Sequence, residues 1–314
     1  MVGLPDGTAR RLKEAWSLME NAATEDERWT ILRLLQWTTD YFRKHGSESA
    51  RLEAEVLLAH VRGQSRIQLY TSFDQEPTPE QLARFRKLVR QRATGEPVAY
   101  LVGTREFFSL PLIVDRRVLI PRPETEHLVV AALDAAREWL AAAPGEPVRI
   151  ADVGTGSGAV AIAIATHLPQ ATIWAGDRSL AALEVAGENV RRAALDDRIT
   201  LCHSDLLDDA PPSLEIIVSN PPYVRSDEFD ALPPDVRDFE PREALVAGPL
   251  GTEVIERLIQ QAMARLRPGG SLLFEHSPQL ADACRALLVD WDGVRSVRDL
   301  AGHVRIHQAR RPVR

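Results

Sequence analysis

Between Trp29 and Arg92 apolar positions recur every three or four residues, the period of one buried helix face. Ile31, Leu34, Leu35 and Thr38 form one such set. Leu52, Val56, Leu57 and Val61 form another, after Ser47–Ser49, which can supply an N-cap, and before Gly63, which can close the helix. Thr78-Pro79-Glu80 predicts a further helix start, with Thr at the cap and Pro in the first turn. Residues 29–98 therefore read as a small helical bundle. Residues 1–28 carry no motif and read as a weakly ordered or helical extension.

The pattern changes at Gly95-Glu96-Pro97. From Tyr100 to Val118 short apolar segments are separated by Gly103, Pro111 and Asp115-Arg116, which predicts a β-hairpin within a linker over 99–123. A helix is expected from about 125 to 143, and Ala141-Ala142-Ala143-Pro144-Gly145 reads as a connector. Strand and helix then alternate: strands at 148–153, 171–175, 199–202, 214–219 and 271–275, helices at 159–166, 180–194 and 253–266. Such alternation predicts an α/β domain over 124–314, its mostly parallel sheet covered by helices on both faces.

Composition adds limits. The 314 residues are long enough for two domains, and 45% hydrophobic with 26% charged residues is the balance of an ordinary globular chain. No apolar stretch approaches the roughly 20 residues that span a bilayer, so no membrane partner is expected. The first twenty residues lack the apolar core of a secretory signal. Cys202 and Cys284 lie far apart without metal-ligand spacing, which suits a reducing, cytoplasmic compartment and argues against a metal site. A net charge of −7 disfavours stable binding of nucleic acid by phosphate neutralisation. The local exception, Arg84, Arg86, Lys87, Arg90 and Arg92, reads as a solvated helix face or as a docking patch for an acidic partner.

The chemistry concentrates at the ends of the expected strands. The first ends in Asp152-Val153-Gly154-Thr155-Gly156-Ser157-Gly158. Glycines at alternate positions let the backbone turn tightly and approach a ligand where a Cβ would clash. The spacing is not the Gly-x-Gly-x-x-Gly of a pyrophosphate loop, and the acid ahead of it suits a cationic or amino-bearing ligand. The second strand leads to Asp177, placed to accept ribose hydroxyls. The third leads to Ser204-Asp205-Leu206, where Asp205 or the next backbone N–H could receive an adenine amino group. One such acid alone reads as a surface residue; three at successive strand ends after one glycine loop describe a nucleoside cleft. With an acid in place of a phosphate cradle, S-adenosylmethionine is the expected cofactor.

The fourth strand, Leu214 to Ser219 with Glu215 as a polar member, stops at Asn220-Pro221-Pro222-Tyr223. Pro221 has no N–H to give a sheet and pushes Asn220 toward an extended conformation. Alone, this is a proline-rich turn. After the glycine loop and the three acids it becomes a rigid amide oxygen and backbone carbonyl beside an aromatic ring, a receptor for a planar –NH2 group.

Taken together, these motifs resemble class I S-adenosylmethionine-dependent methyltransferases that act on amino groups, including DNA adenine-N6 enzymes and enzymes that methylate glutamine. The segments R-Q-R-A-T-G-E-P-V-A-Y (Arg90 to Tyr100), Gly103-Thr104-Arg105-Glu106-Phe107-Phe108, L-I-P-R-P-E-T-E (Leu119 to Glu126) and Glu240-Pro241-Arg242-Glu243-Ala244-Leu245 narrow the resemblance to peptide chain release factor glutamine N5-methyltransferases, over roughly residues 30–310. The sister enzymes that modify a ribosomal large-subunit protein typically have Pro-Arg-Ser where this chain has Pro121-Arg122-Pro123. The chain departs from the family pattern at Ala247-Gly248-Pro249, at Glu275-His276-Ser277-Pro278-Gln279 and at Leu206.

The resemblance implies a Rossmann-like class I methyltransferase sheet with one antiparallel strand, and a helical substrate-recognition domain joined to it by the hairpin. It implies methyl transfer to the glutamine of the Gly-Gly-Gln tripeptide of class I release factors. In that reading Asn220 Oδ1 and the Pro221 carbonyl accept the two amide N–H groups, Tyr223 packs on the amide plane, and Phe107 or Phe108 walls the methyl channel. The alternatives are glutamine methylation of a ribosomal protein, adenine-N6 methylation of DNA, and an inactive module that binds the cofactor.

Overall fold

A computed structural model describes residues 28–313, so the expected extension over 1–28 lies, apart from Arg28, outside the described residues. The chain divides into two compact units between Val102 and Gly103. The first holds helices α1 (Ile31–Lys44), α2 (Ala50–Arg62), the short α3 (Arg66–Tyr70), α4 (Pro79–Ala93) and the short α5 (Val98–Val102). Local chemistry sets their ends. Thr30 Oγ1 accepts from Arg33 N–H at 3.3 Å, Gly63 stops α2 at a φ of +63°, and Thr78 and Gln81 form a reciprocal capping box at α4.

Ile31, Leu34, Leu35 and Phe42 of α1 meet Ala54, Leu57, Leu58 and Val61 of α2 and Phe85 and Val89 of α4 in one core. The buried face of α2 is turned from the expected one, for Leu52 is 44% exposed while Glu55 is buried. Glu55 is tolerated because Arg51, Arg66 and the Tyr70 hydroxyl all reach its carboxylate. Arg92 leaves the basic face of α4 to make a paired contact, two hydrogen bonds of 2.9 Å, with Glu53.

In the second unit, hairpin β1 (Thr104–Phe107) and β2 (Leu110–Ile113) precedes α6 (Glu126–Ala142). Strands β3 (Val148–Val153), β4 (Ala171–Asp177), β5 (Ile199–His203), β6 (Leu214–Ser219), β9 (Leu266–Glu275), β10 (Asp292–Arg298) and β11 (Val304–Arg310) form a seven-stranded sheet. Its order is β10-β11-β9-β6-β3-β4-β5. All neighbouring pairs from β9 to β5 are parallel, and β11 runs antiparallel to both β9 and β10, so β11 is the one reversed strand. The short pair β7 (Val224–Arg225) and β8 (Val246–Gly248) lies outside this sheet.

Side chains of β3 alternate between two cores. Val148 and Ile150 pack with α6, α7 (Ala159–His167) and α8 (Leu180–Arg192), whereas Ala151 and Val153 pack with α10 (Glu253–Arg265) and α11 (Ala281–Ala286). A strand covered on both faces must be apolar throughout, and this explains the continuous apolar runs in the sequence. Glu215, the polar member of β6, is 1% exposed and survives there by pairing with Arg149 and Arg267. Burial pulls its carboxyl upward, but these guanidinium bonds outweigh it and hold the pKa below the ordinary value. The short α9 (Pro234–Arg237) lies in the long excursion between β7 and β8.

The chain runs outward from β3 through β4 to β5, then returns to place β6 on the other side of β3. That reversal is the switch point where open α/β sheets bind ligands, beyond the strands' carboxyl ends.

Candidate active site

Where β3 ends, Gly154, Gly156 and Gly158 have φ of +72°, +55° and +82°, conformations that a side chain would strain. Gly154 and Thr155 donate their N–H groups to the Gly176 carbonyl of β4. Asp177, half-buried, closes the loop: Oδ2 accepts from Gly156 N–H at 2.8 Å and Oδ1 from Ser179 N–H at 2.9 Å. Burial raises its pKa against the pull of those bonds. Each oxygen of a carboxylate accepts two hydrogen bonds, so Asp177 keeps capacity for a ligand.

Asp152 sits beneath the same loop. It is 1% exposed, and its Oδ2 accepts from Thr155 Oγ1 at 2.7 Å and from Ala161 N–H at 3.1 Å. Burial pushes its carboxyl up to about 6.

Two cavities meet above these strand ends. The larger, about 260 Å³, is lined by Asp177, Asp205, Leu206, Val118, Pro222 and Ala247 among others. The smaller, about 50 Å³, is lined by Phe107, Pro121, Thr125, Asp152, Thr155 and Ser157 with Ala159 and Val160. They share Leu119, Gly154, Gly156 and Asn220 as a common wall. A Cβ at Gly154 or Gly156 would meet no atom within 4 Å, so bare backbone faces the space a ligand would fill. Asp205 is exposed and paired with Arg257 at 2.6 Å, and Leu206 holds a left-handed φ of +54°.

Of the other residues singled out in the sequence, Gly158 caps α7 and Phe108 packs edge-on against His167 at 4.8 Å. Neither lines these cavities. Nor do Pro221, which is buried, or Tyr223, which turns its hydroxyl to Glu275 Oε1 at 3.4 Å. Burial, with Glu275 beside it, raises the Tyr223 pKa well above the ordinary phenol value.

Several residues that shape the site escaped the sequence reading. Asn189 of α8 accepts from Ile113 N–H and donates to the carbonyls of Ile113 and Ser157, which ties the hairpin to the glycine loop. Glu240 accepts from Arg122 at 2.6 Å and from Ile120 N–H at 3.2 Å, which joins the two family segments around them. Thr125 Oγ1 accepts from Asn220 Nδ2 at 3.1 Å. Glu275, at the end of β9, is 1% exposed, and burial pushes its carboxyl up to about 7. As an acid ending a strand of the same parallel set, Glu275 was available to the rule that selected Asp177.

The sheet places the chain in a large class. The hMettl16 catalytic domain, solved in complex with a 3′UTR hairpin, has a similar fold, with a TM-score of 0.50 at 18% identity over 76% of this chain and 82% of that one. The family model described as "Methyltransferase small domain" matches residues 130–232, and the chain is a methyltransferase. A second model, "PrmC N-terminal domain", matches residues 33–103. The release factor glutamine methyltransferase of Rhodopirellula baltica is 52% identical over 288 residues, covering 90% of this chain and 97% of the relative. That of Escherichia coli is 40% identical over 263 residues, covering 83% and 92%. The chain belongs to the release factor glutamine methyltransferase family.

Proposed function

We propose that this enzyme transfers the methyl group of S-adenosylmethionine to the side-chain amide nitrogen, N5, of the glutamine in the Gly-Gly-Gln motif of class I peptide chain release factors. The observation that carries the reading is Asn220 in the wall between a nucleoside-sized cavity and a smaller one with room for an amide group. The residues fit the cofactor. Asp177 has acceptor capacity for ribose hydroxyls, Leu206 and Ala247 offer apolar surface to adenine, and Asp205 stands beside them for its amino group. Bound there, the cofactor supplies an electrophilic sulfonium methyl.

The chain's own residues deal with a poor nucleophile. A glutamine nitrogen shares its lone pair with the carbonyl, so position and electrostatics must do most of the work. Asn220 Oδ1 and the Pro221 carbonyl each accept one amide N–H. This aims the nitrogen and favours the positive charge that grows on it as the new bond forms. Phe107 walls the small cavity and excludes water, and the nitrogen's spare proton passes to solvent. The helical unit grips the release factor outside its Gly-Gly-Gln loop, since three residues cannot specify one protein among many. Pro123, where the sister enzymes typically have Ser, favours a release factor over a ribosomal protein. A cytoplasmic setting follows from such a substrate.

The test is mass spectrometry after incubation with cofactor and either release factor or ribosomal large-subunit proteins. The expected result is the mass of one methyl group on the Gly-Gly-Gln glutamine. Transfer only to a ribosomal protein, or to neither, would overturn the assignment.

A further inference from the structure

The small cavity has walls from distant parts of the chain. One is the glycine loop, with Thr155, Gly156 and Ser157, and another is Phe107 of the hairpin, 1% exposed. The loop is fastened toward the cofactor side: Asp177 accepts from Gly156 N–H, Asp152 from the Thr155 hydroxyl, and the Gly176 carbonyl from the N–H groups of Gly154 and Thr155. The hairpin's turn is held to α6 by Glu126. None of these bonds joins one wall to the other.

Asn189 makes that join. It is 2% exposed and lines neither cavity. Its Oδ1 accepts from Ile113 N–H at 2.7 Å, and its Nδ2 donates to the carbonyls of Ile113 and Ser157, both at 2.9 Å. The side-chain amide thus stands where a third strand would run beside β2. Only one orientation satisfies these partners, because the amide turned over would set Oδ1 against two carbonyl oxygens. Both Nδ2 hydrogens are used, one on the hairpin and one on the loop, and burial removes the water that would compete for them. On the hairpin side, Ile113 pairs with Thr104, and β1 runs three residues from there to Phe107.

We propose that Asn189 is a positioning residue that sets the distance between Phe107 and the glycine loop, and with it the width of the seat where the acceptor amide meets the cofactor's methyl group. The inference rests on reading the small cavity as the glutamine seat, and adds what holds that seat to size. Misplacing reacting groups by about 1 Å costs on the order of 100-fold in rate. The loop keeps its own fastenings toward the cofactor, so loss of the tie should be felt in turnover and not in cofactor binding.

Asn189→Asp keeps the shape and the acceptor for Ile113 N–H but replaces the donor shared by two carbonyls. The expected result is a fall in kcat of about tenfold or more, with cofactor affinity in calorimetry within about threefold of native. A double-mutant cycle tests the route: with Phe107→Ala already in place, Asn189→Asp should cost a further twofold or less, about the limit of an uncoupled residue. A smaller fall in kcat, a full loss repeated in the Phe107→Ala background, or affinity that falls with kcat overturns the proposal, since a merely structural asparagine would give these. The second readout uses the native enzyme and no protein substrate. The Ile113 N–H should exchange with deuterium about tenfold more slowly once S-adenosylmethionine is bound, because the cofactor steadies the loop to which the hairpin is tied. Exchange unchanged by the cofactor sinks the tie, even where Asn189→Asp fails to fold. Slowed exchange in an enzyme that leaves release factor unmethylated sinks the functional reading and leaves the tie standing.

Discussion

Asp152 accepts hydrogen bonds from Thr155 Oγ1 and Ala161 N–H on a single oxygen, Oδ2. An asparagine could place its carbonyl there and keep both, losing only the charge. The folded pKa of about 6 lies above the ordinary 3.8, so folding favours the protonated acid. Its contribution is fully present below about pH 4 and is lost as pH rises through 6. A rise of that size is worth about 3 kcal/mol. Asp152→Asn should therefore be more stable than native at pH 8, by up to about 3 kcal/mol, with the gap closing toward pH 4 in urea titrations. No gap at pH 8 would mean the carboxylate is better solvated than its burial implies. The role proposed for Asn220 is chemical instead of stabilising. Asn220→Ala should cut turnover about 100-fold or more, the scale of a lost transition-state acceptor or donor, while calorimetry finds cofactor affinity within a few fold. Loss of binding instead would make Asn220 a cofactor residue.

Among the elements, the hairpin β1–β2 bears the clearest strain. Phe108 and Ser109 form its turn with φ of +51° and +60°, a left-handed pair usually filled by Asn-Gly. Glu126 Oε1 accepts from Phe108 N–H at 2.9 Å, a partial compensation that fastens the turn to α6. Ser109→Gly should raise stability by about 1 kcal/mol, read as a higher midpoint in thermal unfolding. An unchanged or lower midpoint would show the serine side chain has a role of its own. The turn was hidden in the sequence because neither residue announces a positive φ. Elements with a dry core were legible: β3 and β6 match their expected bounds, since strands covered on both faces have little freedom in composition. The pair β10 and β11 was not. Most of β10 is exposed, while β11 buries His307 and Gln308 between Ile306 and Ala309, so polar residues interrupt its apolar run. The site divided in the same way. Residues at strand ends could be found by counting along the chain. Thr125, Glu240 and Asn189 act through partners about 95, 120 and 76 positions away, and no local pattern marks such pairs.

For the whole molecule, each unit has its own hydrophobic core, one in the helical unit and two flanking the sheet. Both cavities of the site are lined by residues beyond Gly103. A fragment of residues 103–314 should therefore keep cofactor affinity within about tenfold in calorimetry, a difference of about 1.4 kcal/mol. The same fragment should lose most of its rate on intact release factor, which would locate protein recognition in the helical unit. Undiminished turnover by the fragment would place recognition in the sheet unit instead. Family resemblance is carried by both parts of the chain, since one family model matches residues 33–103 and the other residues 130–232.

If the proposed function holds, the wall at Asn220 also sets how often one substrate can react. In the proposed mechanism two fixed acceptors, an amide oxygen and a backbone carbonyl, suit a nitrogen that brings two hydrogens. The product has one hydrogen and a methyl group, which satisfies one acceptor and crowds a space of about 50 Å³. On that proposal the seat counts: it takes an unmodified amide and releases a modified one. Prolonged incubation with excess cofactor should leave a single added methyl in the mass spectrum, and any dimethylated glutamine would show that the count is kept elsewhere.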